Sequence, residues 1–239
     1  MMPGTMKAMV FCLALTTLAG CTSEPGPTPA PSERPAAPKT SAPTKEASRT
    51  FNGMGFDVAF SFDYPASWTV ADHAPPNQEG GPFVISNEVG LAVASLSIQP
   101  QLTAYECKGA CGDMAVSYLG DVPGEGMLGE TTYAVRTKAM DLSSRADLRE
   151  KNGWTGNVRL IVGVEGSRSA APKEDPFYFA PGAGIDVPST SSPVRPIIFS
   201  ANRHFETMAA AKSYTSSSEH AEIQAMLQSL NATAVRTAN

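Results

Sequence analysis

Phe56-Asp57-Val58-Ala59-Phe60-Ser61-Phe62-Asp63-Tyr64 places a large apolar side chain at every second position, with Asp57, Ala59, Ser61 and Asp63 between. Successive side chains of a strand point to opposite faces, so a period of two predicts a β-strand with one buried and one solvated face. Pro65 ends the run, because proline has no N–H to give to a sheet. The same alternation puts Tyr64 in the core and leaves Asp57 and Asp63 solvated. Moving outward, Trp68 and Val70 predict a short second strand, with Trp68 in the core, and Phe83–Ile85 a third. Ala92 to Ile98, Tyr133 to Lys138, Val158 to Val164 and Ile197 to Ala201 repeat the alternation and predict four more. Mostly one-faced alternation favours antiparallel pairing. Ile223, Met226, Leu227 and Leu230 recur at helical spacing and predict a closing helix, started by a capping box at Ser216 and Glu219. Shorter helices are expected over Glu206–Tyr214 and Asp113–Leu119. Strands first and helices last give an α+β domain, an antiparallel sheet flanked by helices.

Phe60-Ser61-Phe62-Asp63-Tyr64-Pro65-Ala66-Ser67-Trp68-Thr69-Val70 resembles the opening of the PsbP/Mog1-like fold, with its aromatic strand, Tyr-Pro turn and Trp two residues before a valine. The stretch from Phe205 to Tyr214 and the helix ending Met226-Leu227-Gln228-Ser229-Leu230 are similar to the end of PsbP-like bacterial lipoproteins, including the LpqN type of actinobacteria. The resemblance covers the two ends of the domain. It implies an α/β/α sandwich and says little about activity, since one fold hosts many functions.

At the N-terminus, Lys7 precedes the apolar run Ala8 to Leu18, which ends in Ala19-Gly20-Cys21. A basic start, a short apolar run and small residues at its end make a secretory signal peptide. The run falls short of the ~20 residues that span a bilayer. Leu18-Ala19-Gly20-Cys21 resembles the lipobox of bacterial lipoproteins, which implies cleavage before Cys21 and a diacylglyceryl thioether on its sulfur. Residues 1–20 are then a lipoprotein signal peptide, and the mature chain sits on the outer face of the bacterial cytoplasmic membrane. Each buried methylene contributes about 0.8 kcal/mol and one acyl chain holds only marginally, so two chains make a lasting anchor. Residues 21–50 read as the lipidated cysteine and a disordered tether. Pro25, Pro27, Pro29, Pro31, Pro35, Pro38 and Pro43 alternate there with small polar residues, and no large apolar side chain is available for burial. Residues 51–239 form the globular domain.

The net charge is −5 and no basic run occurs, which argues against nucleic acid as a partner. Cys12 falls in the signal peptide and Cys21 at the lipidation site. Cys107 and Cys111 remain, and in an oxidising compartment they predict a disulfide. A metal would need further Cys or His ligands nearby, and a redox pair would be spaced C-x-x-C. His73, His204 and His220 are the whole histidine complement. None is at metal-ligand spacing, and no G-x-S-x-G or H-E-x-x-H occurs. His220 is expected to be solvated in the first helical turn, His204 to pack at the edge of the core, and His73 to lie in a loop. No enzyme, cofactor or metal is therefore expected.

Between Val164 and Pro196 lie about 30 residues rich in Pro, Gly and Ser, longer than ordinary connections. Phe177, Tyr178 and Phe179 at its centre read either as an edge strand with one buried aromatic face or as a contact patch for a partner. The expectation is thus a membrane-anchored, non-catalytic interaction module at the cell envelope, with an envelope protein as partner. The alternative is a carrier for a small apolar or lipid ligand, and the third reading an envelope hydrolase.

Overall fold

The Phe56–Tyr64 alternation folds as expected into a strand from Val58 on, with Phe56 and Asp57 in the turn before it, but that strand belongs to a second, smaller sheet. The computed structural model describes residues 47–73, 81–100, 115–166, 185–187 and 195–235. The strands are β1 (Ser48–Gly55), β2 (Val58–Pro65), β3 (Thr69–Asp72), β4 (Phe83–Ser86), β5 (Ala92–Ile98), β6 (Val116–Pro123), β7 (Tyr133–Asp141), β8 (Val158–Gly166), β9 (Ile185–Val187), β10 (Arg195–Phe205) and β11 (Asn231–Ala234). The helices are α1 (Ala146–Asn152), α2 (Met208–Tyr214) and α3 (Ser218–Gln228). None of them is long and apolar enough to cross a membrane.

β1 and β2 form a hairpin paired from Ser48↔Pro65 to Gly55↔Val58. Its turn puts Phe56 at φ 55°, a left-handed conformation that is uncommon for a bulky residue. β11 pairs with the other edge of β2, giving the order β1-β2-β11. The large sheet runs β3-β4-β5-β10-β8-β7-β6, with β9 beside the start of β10. All its pairs are antiparallel. β10 spans its centre, pairing in turn with β9, β5 and β8 along its length.

The two sheets meet through aromatic side chains. Phe62 of β2 lies 4.8 Å from Phe199 of β10, and Phe60 packs edge-on to Phe83 of β4 at 5.0 Å. Phe51 of β1 closes the cluster against Phe60, Phe62 and Phe83. Such pairs contribute about 0.5–1.5 kcal/mol each beyond their buried area. α3 buries Ile223, Met226 and Leu227 in the same core, whose sheet side includes Val135, Leu160 and Val162. Trp68 and Tyr64 are buried, as expected.

This architecture overturns the α/β/α sandwich. The described chain is a β-rich fold of two antiparallel sheets with three short helices, and no helical layer covers each side of a single sheet. α1 buries no residue and α2 buries only Ala211, so α3 alone contributes a sizeable apolar stripe. The smaller sheet and α3 pack on the same face of the large sheet, the sheet through Phe199 and the helix through Arg203 of β10. Within the described residues α3 is followed by a further strand, β11. Val116–Pro123 is an edge strand where a helix over Asp113–Leu119 was expected. The capping serine is Ser217, one residue beyond the expected Ser216, and its Oγ accepts from the His220 N–H at 3.2 Å.

Asp57 is not solvated. Its carboxylate meets Arg195 Nε at 3.2 Å, with both side chains largely buried, while the Arg195 guanidinium lies 4.6 Å over the Phe56 ring. Arg195 Nη1 also donates to the Pro100 carbonyl at 2.6 Å. Asp63 is exposed, as expected, and accepts from the Thr50 hydroxyl at 2.6 Å.

Candidate functional site

One end of the large sheet carries a hydrogen-bonded hairpin tip that exposes two aliphatic side chains. Between β4 and β5, Asn87 pins the turn from its buried position. Its side-chain Oδ1 accepts from the Leu91 N–H at 3.0 Å, and its own N–H donates to the Leu91 carbonyl at 3.0 Å. Gly90 supplies the left-handed residue of the turn at φ 78° and donates to the Asn87 carbonyl at 2.9 Å. The asparagine side chain thus adds a bond to the backbone turn, as short polar side chains do. With the backbone fixed this way, Val89 stands 78% exposed and Leu91 58% exposed.

Beside the tip lies a cleft of about 320 Å³ lined by Ser67, Trp68, Asn87, Glu88, Ser218, Glu219 and Glu222. Its inner carboxylate is built by three elements. Glu219 of α3 accepts from Tyr214 Oη at 2.7 Å and from Arg203 Nε and Nη2 of β10 at 3.0 Å each. Burial works against its charge, yet these donors and Asn87 hold its pKa below the ordinary value. Glu219 is therefore ionised at neutral pH, and Arg203 balances it. Glu88 at the rim is exposed.

His220 is a correction. It is 3% exposed, with Nε2 3.1 Å from Thr137 Oγ1 of β7 and its ring edge-on to Tyr214. Burial lowers its pKa, while the Thr215 backbone works the other way. The shift of the cap to Ser217 turns this residue inward. His73 is exposed just after β3, its N–H on the Pro82 carbonyl at 3.0 Å. His204 lies on the opposite face of β10 from Arg203, half-buried against Trp154 at 6.0 Å. His220 is buried against Thr137 and Tyr214, His204 packs on Trp154 and His73 is exposed, so each histidine has different neighbours. Among the described residues no group of three or more His, Cys, Asp or Glu is placed to hold a metal ion.

Cys21, the pair Cys107 and Cys111, and the patch Phe177, Tyr178 and Phe179 lie outside the described residues. The hairpin tip was missed in the sequence because Val89 and Leu91 are two apolar residues in a turn, with no periodic run around them. The available signal was the Asn87-to-Gly90 turn between two predicted strands.

No protein-family model, curated protein or solved structure matches the chain.

Proposed function

We propose that this chain is a membrane-anchored extracytoplasmic lipoprotein whose folded part is a non-catalytic interaction module at the cell envelope, docking a partner on the β4–β5 tip. The observation that supports docking there is the exposure of Val89 and Leu91 on a turn held by Asn87. A fixed apolar projection loses little conformational entropy when it is covered, and that favours binding. The adjacent cleft, with Glu219 matched by Arg203, adds the carboxylates of Glu88 and Glu222. A partner suited to this end covers the two aliphatic side chains and brings basic groups to the cleft. The lipobox at Leu18–Cys21 and the proline-rich stretch from Pro25 to Pro43 support the address.

The test is recovery of an envelope protein from detergent-solubilised membranes with the tagged full chain, compared with Val89→Ser/Leu91→Ser. Loss of the same protein from the double variant, with an unchanged circular dichroism melt, supports the reading. Equal recovery by both forms removes the tip from the account.

A further inference from the structure

Among the described residues, two buried side-chain polar atoms have no hydrogen-bond partner, Arg149 Nε and His204 Nε2. Both belong to one corner of the large sheet. His204 of β10 stands directly across from Arg159 of β8 in the strand register, so the two side chains share a face. The Trp154 ring stacks on His204, and the Arg159 guanidinium lies 4.3 Å over the same ring. Arg149 of α1 reaches this corner through Asn157, and its carbonyl accepts the Trp154 N–H at 2.9 Å.

Arg159 is 6% exposed and has no carboxylate partner among the described residues. Its Nε and Nη2 both donate to the neutral Asn202 Oδ1, at 3.1 and 2.7 Å. A guanidinium has five N–H donors, and among the described residues its Nη1 edge meets no acceptor. The other largely buried cations of the sheet are matched: Arg136 and Lys138 share Glu165, Arg195 meets Asp57, and Arg203 meets Glu219. A buried charge without a counter-charge is costly and is found where something else supplies the charge. Burial brings Arg159 down to about 10, and burial together with Arg159 lowers His204. A bound anion would relieve both effects.

We propose that Arg159, His204 and Trp154 form an anion-binding site, in which an oxyanion, carboxylate or phosphate, takes the open edge of the Arg159 guanidinium and meets His204 Nε2. Trp154 fixes the plane of the guanidinium, and Asn202 holds its other edge, so the fork is set before the ligand arrives. The proposal is independent of the hairpin tip. Arg203 and Glu219, beside the tip, lie on the opposite face of β10 from Asn202 and His204.

The experiment is calorimetric and NMR titration of the full chain with inorganic phosphate, with acetate, and with water-soluble dihexanoyl phosphatidylglycerol. Saturable binding that shifts the Arg159 Nε and His204 ring resonances is expected. It should weaken about tenfold or more in Arg159→Met, the loss of a charged hydrogen-bonding partner, and by less in His204→Phe. The ligand should also raise the melting temperature of wild type and not of Arg159→Met. Binding of phosphate or acetate makes the ligand a small free anion, whereas binding of the phosphatidylglycerol alone makes it a lipid headgroup; either supports the site. Should Arg159→Met not fold, His204→Phe carries the comparison. Absence of saturable binding by all three probes, or binding unchanged in the variants that fold, overturns the proposal.

Discussion

Arg195 and Asp57, 138 residues apart in sequence, form an ion pair at 3.2 Å that ties the first residue of β10 to the turn of the β1–β2 hairpin. The same guanidinium covers the Phe56 ring, so one side chain holds both turn residues. Phe56 keeps its left-handed φ of 55° within that grip. Breaking a largely buried ion pair by removing one member costs about 3–5 kcal/mol. Asp57→Ala is therefore expected to lower the urea midpoint strongly, and Asp57→Ala with Arg195→Met to recover part of the loss. Chemical denaturation of the four forms of this cycle checks it.

Tyr133 of β7 closes the end of α3. Its Oη donates toward the carbonyls where the helix stops, with Leu227 O at 3.1 Å, Leu230 O at 2.9 Å and Gln228 O also within reach. The last carbonyls of a helix lack partners within it, so a buried phenol there stands in for a cap. Burial pushes the phenol well above its ordinary pKa, and it stays protonated and able to donate. Tyr133→Phe should cost about 1–3 kcal/mol in equilibrium unfolding, the range for leaving buried acceptors unpaired. Amide exchange at Ser229 and Leu230 should quicken with it.

How much of this was legible can be judged from particular elements. The period of two announced β2, β5, β7, β8 and β10, although only β2 and β5 alternate in burial and β7, β8 and β10 are buried on both faces over much of their length. β1, Ser48–Gly55, is polar, glycine-containing and mostly exposed, so no pattern marked it. β11, Asn-Ala-Thr-Ala, is too short and polar to be read. Those two strands make β2 the centre of its own sheet, and missing them turned two sheets into one with helices. α1 buries nothing, so its sequence carries no apolar stripe. The edge strand β6 is half-buried on both sides, and its lack of alternation allowed a helical reading. At the sites, Arg159 looks like any polar residue of a one-faced strand. Only the absence of a carboxylate partner among the described residues, a tertiary fact, sets it apart.

His220 gives a pH dependence with a definite sign. Its folded pKa lies below the unfolded value near 6.5, because burial penalises the charged ring. The unfolded chain therefore binds more protons in the window between the two values, and stability rises with pH across it. This contribution is fully present above about pH 6.5 and is lost as pH falls through the folded pKa. His204 is shifted in the same direction and adds to the slope. Urea unfolding at several pH values should show a shallower slope for His220→Gln than for wild type. An identical slope would mean that His220 titrates alike in both states.

Cys21 carries the anchor in the proposed function. Lipidation needs a thiol there, so Cys21→Ala should leave the protein unlabelled by palmitate and release it from the membrane pellet or leave it uncleaved. Label and pelleting that survive the substitution would remove Cys21 from that role.

The most direct test of the proposed docking tip is site-specific photo-crosslinking in intact cells. A photoreactive residue at position 91, beside Val89, is compared with one at position 54, where Met54 is 64% exposed on the small sheet. A discrete adduct from position 91 that is absent from position 54, and that contains one reproducible envelope protein, is the expected result. No adduct at 91, or the same pattern at both positions, would contradict the assignment of this tip as the docking surface.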